Sequence, residues 1–293
     1  MKKSIILGAK GFIGQHIDWY LKNMGVVSEC YDIQPERGEE HYHQVDLTDK
    51  NSVKNISFDV DYVFLFAGLT GTKAGFIEYE RYVRINEVAL LNVLDTIKCS
   101  PFRPKIIFPS TRLVYKGAEI PLTEDAEKDS KTIYAVNKLA CECYLKAYSQ
   151  SFDIPYTIFR ICVPYGNLIN NSYSFGTIGF FIKMGEQKKD ITLYGGGHFK
   201  RTFTHMEDLC RQIINASFLN QSDCQTYNVG GETFSLREVA ELMASKYGVN
   251  IVDVPWPDED LRIESGSTFF DSNKIEQLLG GYDYRSLKNS LNV

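Results

Sequence analysis

A tyrosine and a lysine four residues apart, Tyr134 and Lys138, lie in a stretch free of proline and glycine from Ile133 to Tyr148. Ala135, Leu139, Ala140, Cys143, Leu145 and Ala147 recur there at helical spacing, which predicts a helix. Separation by four puts phenol and ammonium one turn apart on one face. An ammonium held there favours phenolate and draws tyrosine from its reference pKa of about 10 towards neutrality. Such a pair is a general base for a hydroxyl, or an acid for a carbonyl, near pH 7. Alone the spacing is a weak signal, because a surface tyrosine beside a solvated lysine shares it. A third group adds weight: Thr111, in the run Ser110-Thr111-Arg112-Leu113-Val114-Tyr115 that follows a strand predicted for Lys105 to Pro109. In open parallel sheets chemistry sits at the carboxyl ends of strands.

The elements that would position these groups begin at the first residues. Lys3 to Leu7 reads as a strand, followed directly by Gly8-Ala-Lys-Gly11-Phe-Ile-Gly14 and then by a helix with Ile13, Ile17, Tyr20 and Leu21 on one face. Strand, glycine turn and helix together form a phosphate cradle: small residues admit a pyrophosphate to the backbone, against the positive end of the helix dipole. Val26 to Tyr31 reads as a second strand, with Asp32 at its end and Arg37 the first arginine beyond it. A carboxylate there accepts ribose hydroxyls and repels a 2′-phosphate, which implies NAD rather than NADP. A strand from His43 to Val45 leads to Asp46-Leu47, where Asp46 could meet the adenine edge or cap a helix starting near Asp49. Asp61 to Phe66 is a nearly continuous apolar strand ending in Ala67-Gly68, Glu78 to Lys98 a long helix containing Asn86, and Pro155 to Arg160 a further strand.

Composition limits the alternatives. The chain has 293 residues, 44% hydrophobic, and a net charge of -5 with no basic run, which argues against nucleic acid or an anionic membrane as a partner. Seven cysteines without CxxC spacing read as buried thiols in a reducing cytosol, and five histidines, with one HxH pair at His41 and His43 and no HxxxH, are read as offering no metal site. No stretch reaches transmembrane length, so a cytoplasmic protein is expected.

Taken in order, Gly8-Ala-Lys-Gly11-Phe-Ile-Gly14, Asp32, Asp46-Leu47, Asn86, Ser110-Thr111 with Val114-Tyr115, Tyr134 with Lys138, and Arg160 with Tyr165-Gly166 resemble the extended short-chain dehydrogenase/reductase family. The resemblance is to its NAD-dependent epimerase/dehydratase group, which acts on nucleotide sugars. It implies an α/β fold, a Rossmann-type doubly wound parallel sheet with a smaller C-terminal α/β substrate-binding domain. Residues 1–166 would bind NAD, with 202–232 returning to that domain, while 167–201 and 233–293 would hold the nucleotide sugar. It implies a triad: Tyr134 exchanges the proton, Thr111 hydrogen-bonds the same sugar oxygen, and Lys138 holds the nicotinamide ribose. NAD would lie against Gly8, Lys10, Gly11, Phe12, Ile13, Gly14, Asp32, Ile33, Asp46, Leu47, Phe66, Ala67, Gly68, Asn86, Tyr134 and Lys138.

Beyond Gly166 a loop-like stretch to about Phe175 precedes a predicted helix, Gly179 to Gln187, and a strand, Ile191 to Tyr194. The run from Arg201 to Asp208 is similar to a family segment whose arginine meets the nucleotide diphosphate, a task suited to a guanidinium fork. His205 within it is expected to satisfy backbone. Tyr227-Asn-Val-Gly230-Gly231 and Ser235 to Lys246 resemble the strand returning to the sheet and the helix after it. Arg262, ahead of Asp271 to Ile275, resembles a second phosphate-binding arginine on looser spacing. The nucleotide-diphosphate sugar would thus meet Thr70, Arg112, Arg201 and Arg262. The resemblance also implies a homodimer through the helices carrying Asn86 to Leu94 and Tyr134 to Tyr148, with Tyr144 and Tyr148 at the contact.

Departures from the family pattern narrow the chemistry. Relatives that dehydrate or decarboxylate the sugar carry an acid just after the catalytic Ser/Thr, to move a proton at a second carbon; here Arg112 and Leu113 stand there. Val163 replaces a common asparagine and Lys116 a common glycine. The implied activity is oxidoreduction at C4 of a nucleotide-diphosphate hexose, as a 4-epimerase; a 4-keto-6-deoxy-sugar reductase is the alternative, and a non-catalytic NAD sensor a third reading.

Overall fold

The computed structural model describes residues 2–36, 38–169 and 176–291. Arg37 and the end of the loop expected up to Phe175 lie outside those residues. The strands in chain order are β1 (Ser4–Leu7), β2 (Ser28–Asp32), β3 (Tyr42–Gln44), β4 (Tyr62–Leu65), β5 (Lys105–Thr111) and β6 (Tyr156–Ile161). They continue as β7 (Val163–Tyr165), β8 (Ile191–Tyr194), β9 (Lys200–His205), β10 (Gln225–Asn228), β11 (Glu232–Ser235) and β12 (Ile251–Val254).

Seven strands form one parallel sheet in the order β3-β2-β1-β4-β5-β6-β10. Both faces are covered, which is why β1, β5 and β6 are buried at every residue. On one face Ile5, Leu7, Val63, Ile106 and Phe108 pack with Leu90, Val93 and Leu145; on the other Ile6, Phe64, Ile107 and Phe159 pack with Ile17, Leu209 and Ile213. This is the Rossmann-type doubly wound sheet that the alternation of apolar strands and helices implies. Its order reverses between β1 and β4, and the turns after these strands open one crevice at their carboxyl ends.

A smaller apolar cluster joins the Gly176–Glu186 and Leu236–Tyr247 helices through Ile178, Phe181, Ile182, Val239 and Met243. The second helix starts at a capping box, with Ser235 and Glu238 satisfying each other's backbone N–H groups. Here β8 pairs with β12, and β9 lies between β7 and β11. Of the segment 202–232, β9 thus belongs to the small sheet, whereas β10 and the Met206–Ser217 helix lie on the large one.

Several elements differ from the sequence reading. The long helix expected from Glu78 to Lys98 runs from Tyr79 to Cys99 with a π-helical turn at Arg84–Val88 inside it, and a separate short helix, Ala74–Ile77, precedes it. The π turn contains Asn86, whose side chain brackets the backbone of Leu69 from both sides. Apolar periodicity carries no sign of that extra residue per turn. The short β7, β11 and β12 lack a strong alternation and were not expected as strands. The cysteines are mixed: Cys30, Cys141 and Cys210 are buried, but Cys99, Cys143 and Cys224 are exposed, so the expectation of buried thiols holds for only part of the set. Among the described residues no helix is long and apolar enough to cross a membrane, and no group of three His, Cys, Asp or Glu side chains is placed to hold a metal ion.

Candidate active site

The crevice at the switch point is a cleft of about 540 Å³, lined by the glycine turn at Gly11, the segment from Gly68 to Thr72, the end of β5 from Pro109 to Leu113, and Tyr134 with Lys138. The glycine turn has little room to spare. Gly8 has φ +90°, and a Cβ on it would lie 2.3 Å from the Ala67 nitrogen; one on Gly14 would lie 2.1 Å from the Gly8 oxygen. Side chains at either position would force β1, β4 and the Phe12–Asn23 helix apart. Gly11 starts that helix without a side-chain cap, and no acid lies in its first turn, so its positive end faces the cleft. This cradle suits a pyrophosphate, and the dinucleotide expected from the sequence fits it.

At the end of β2, Asp32 accepts from Lys10 N (2.9 Å) and Gln34 N (3.2 Å), leaving each carboxylate oxygen capacity for a further donor. Lys10 lies 4.6 Å above the Tyr42 ring and is paired with Glu39, so its charge is locally balanced. Burial pushes the Tyr42 phenol up to about 12, and Asp32, Glu39 and Glu36 add to the rise. Among the described residues the acids Asp32, Glu36 and Glu39 outnumber Lys10 at this end of the site, a balance that disfavours a 2′-phosphate. Ile33 beside it is exposed. Asp46 accepts from Thr48 N, while Asp49 caps the following turn; the capping role considered for Asp46 therefore falls to Asp49.

The Ile133–Phe152 helix starts where Thr132 accepts from Ala135 N and ends at Asp153, φ +56°. Its inner face carries Tyr134, Lys138 and Glu142, successive positions four apart, all turned towards β5. The Lys138 ammonium donates to Pro109 O at 2.8 Å and lies 4.5 Å over the Phe108 ring. Burial lowers it to about 8. Thr111, the last residue of β5, lines the same cleft as Tyr134, and its side chain acts to lower the phenol's pKa. The three groups expected to act together are therefore brought together.

One expectation is corrected here. The sequence reading has Lys138 drawing the tyrosine towards neutrality, yet burial pushes Tyr134 up to about 12. The groups that oppose that rise are the polar side chain of Thr111 and the charge of Arg112. The lysine is aimed at the Pro109 carbonyl instead.

Beneath the site runs a buried network that the sequence reading missed. Glu142 accepts from Ser110 Oγ at 2.6 Å and takes both Nε and Nη2 of Arg160, at 2.9 and 2.6 Å. Arg160 Nη1 donates to the Tyr115 hydroxyl, which donates to Asn228 Oδ1, each at 2.7 Å. Ser110, Arg160 and Tyr115 are in the motifs already quoted; the continuation of the four-residue spacing to Glu142 was the available signal for the missing acid.

The positions expected around the sugar divide. Thr70 and Arg112 line the cleft, and Arg112 Nη1 donates to Thr268 Oγ1 at 2.8 Å. Arg201 does not reach the cleft wall. It is 2% exposed, pairs with Glu264 at 2.8 Å and donates to Gly266 O at 2.6 Å. Arg262 is exposed on the Asp258–Ile263 helix and is likewise not part of that wall. Segment matching placed both arginines at a diphosphate; the acid two residues beyond Arg262 instead takes the first of them. Asn86 spends its amide on Leu69 and Asn137, so it shapes the cleft rim through Gly68 and Leu69. His205 accepts from Glu207 N, satisfying backbone at the start of its helix as expected. Tyr144 donates to Glu87, and Tyr144 and Tyr148 both pack against the core.

The chain is 28% identical over 261 residues to a UDP-N-acetyl-alpha-D-glucosaminuronate decarboxylase of Bacillus cytotoxicus, covering 82% of this chain and 78% of that protein. It is 24% identical over 265 residues to a UDP-glucuronate 4-epimerase of Thermodesulfobacterium geofontis, covering 83% and 80%. Its fold superposes with a TM-score of 0.85 on the crystal structure of a UDP-glucuronic acid 4-epimerase from Bacillus cereus in complex with UDP-glucuronic acid and NAD, at 23% identity and over 99% of this chain and 96% of that one. With residues 4–230 matching the family's model, the chain belongs to the NAD dependent epimerase/dehydratase family.

Proposed function

We propose that this protein is a nucleotide-sugar 4-epimerase, acting at C4 of a nucleotide-diphosphate hexose. The observation that carries this reading is the makeup of the cleft wall: Thr111, Tyr134 and Lys138 meet there, and no carboxylate lines it among the described residues. Dehydration and decarboxylation need a second proton mover beside the first. The positions after Thr111 hold Arg112 and Leu113, neither of which moves a proton near neutral pH. The 4-epimerase named above supports the reading; the decarboxylase is the relative that makes the test necessary.

In this reading Tyr134 takes the C4 hydroxyl proton and returns it, and Thr111 holds the same oxygen in line. Lys138 binds the nicotinamide ribose and adds positive charge near the phenol. NAD held by the glycine turn and Asp32 would supply the hydride acceptor and donor that inversion at C4 requires. The glycine turn and Asp32 fix the dinucleotide, and Asn86 fixes the loop from Gly68 to Thr70 against it. A homodimer through the helices around residues 79–99 and 133–152 belongs to the same proposal; Val83 and Val136 are exposed there. Sedimentation at micromolar concentration should give the dimer mass, and a monomer would contradict that part.

The test of the reaction is NMR of UDP-glucose, UDP-galactose and UDP-glucuronate incubated with the protein and NAD. Inversion at C4 with the carbon skeleton intact is expected. Loss of carbon dioxide, or a 4-keto-6-deoxy product, would refute the assignment. Net oxidation of added NADH by a 4-keto sugar would move it to a reductase.

A further inference from the structure

Resting on that reading of the cleft as a nucleotide-sugar site, we propose that Arg112 is a specificity-determining residue that pairs with a carboxylate on the sugar, so that the hexose is a uronate. The guanidinium follows Thr111 directly, on the wall where the sugar carbons near C4 must lie if Thr111 and Tyr134 hold the C4 oxygen. Of its five N–H donors, one is committed, to Thr268 Oγ1 at 2.8 Å, and Thr268 is itself fully buried. That tether orients the fork. Among the described residues Arg112 forms no ion pair, whereas the neighbouring Arg201 is neutralised by Glu264.

Among the described residues the cleft wall carries no Asp or Glu. Its other cation, Lys138, is turned to Pro109 O. Among the described residues the wall around C4 therefore holds a tethered guanidinium with no carboxylate paired to it. Its charge reaches Tyr134 on one side and Cys162 and Arg201 on the other. A guanidinium fork matches a carboxylate in two parallel hydrogen bonds, and a hydroxymethyl group offers no such match. The diphosphate has a competing claim on any arginine in such a cleft, so the test must separate the two anions.

The experiment is calorimetric titration of the NAD-loaded protein with UDP-glucuronate, UDP-glucose and UDP, repeated on Arg112→Gln. Glutamine keeps a donor for Thr268 and loses the charge. The parent should bind UDP-glucuronate about 10- to 100-fold tighter than UDP-glucose, the span expected for a charge-assisted pair. Arg112→Gln should bring that ratio to about one while UDP binds as before. A parent that binds the two sugars equally, or binds neither, overturns the proposal. So does a variant whose affinity for UDP falls as far as that for the uronate, since the guanidinium then serves the diphosphate. Preferential uronate binding without C4 inversion would instead overturn the epimerase reading and leave the carboxylate site standing.

Discussion

Replacing Lys138 by methionine is expected to stabilise the cofactor-free protein at neutral pH while disabling it. Burial lowers the ammonium from its ordinary 10.5 to about 8, against the opposing charges of Cys141 and Glu142. A shift of that size corresponds to about 3 kcal/mol of destabilisation when the group is charged in both states. Methionine is unbranched and can lie on Phe108 where the ammonium now sits. The lost hydrogen bond to Pro109 O returns about 1 kcal/mol of that, so a net gain of about 2 kcal/mol is expected at pH 7. The pH dependence follows from where the proton resides. Below about pH 8 folded and unfolded lysine are both charged, and the full cost is present. Between about pH 8 and 10.5 the unfolded chain binds the proton and the folded one does not, so the parent gains stability and the advantage of the variant shrinks by about 1.4 kcal/mol per pH unit. Urea unfolding of both proteins at pH 7, 8, 9 and 10 measures this. A variant less stable than the parent at pH 7, or a difference that stays flat to pH 10, would refute the argument that Lys138 is held at a desolvation cost.

Tyr134→Phe should retain NAD binding by calorimetry and lose turnover by about 10²–10⁴-fold, with Thr111→Val losing less because one hydrogen bond and no proton donor is removed. Asp32→Ala should erase a preference for NAD over NADP of about tenfold, or about 1.4 kcal/mol, measured as the ratio of the two dissociation constants. Glu142→Leu leaves the buried Arg160 without its counter-ion and should cost about 3–5 kcal/mol in thermal or urea unfolding, much of it recovered by adding Arg160→Met.

The centre of the large sheet was legible because β1, β4, β5 and β6 are short, mostly apolar runs bounded by glycine, proline or acid, and buried parallel strands leave that mark. The glycine turn and Asp32 were legible for a similar reason: each role there admits very few residue types. The pairing of Tyr134, Lys138 and Thr111 followed from helical spacing and the strand-end rule together. Partners were a different matter. Arg201 carries the right chemistry for a diphosphate, but whether its fork meets phosphate or Glu264 depends on a chain reversal near Gly266 that periodicity does not encode. Asn86 was expected beside the cofactor, whereas the π-helical turn directs its amide to Leu69. Ionisation was least legible of all, because spacing reveals which charge is near Tyr134 but not how much water the fold removes from it.

That last point bears on how the site works. A phenol at about 12 must fall by about five units to act as a base near pH 7, which is about 7 kcal/mol. One unit charge at about 4 Å contributes about 4 kcal/mol at an effective dielectric of about 20. A single cation therefore falls short, and two at that range suffice. Lys138 can supply one of them if its ammonium turns from Pro109 O towards a bound ribose and the phenol. The second would come with the cofactor, which would bring the positive charge of an oxidised nicotinamide ring. Arg112 offers a third, but pairing with an anionic sugar would cancel it. With neither cofactor nor sugar the phenol keeps its proton, and burial sets that resting state. In the proposed reaction the base would be created by filling the cleft, and the same desolvation that makes Lys138 costly would keep the unfilled site idle.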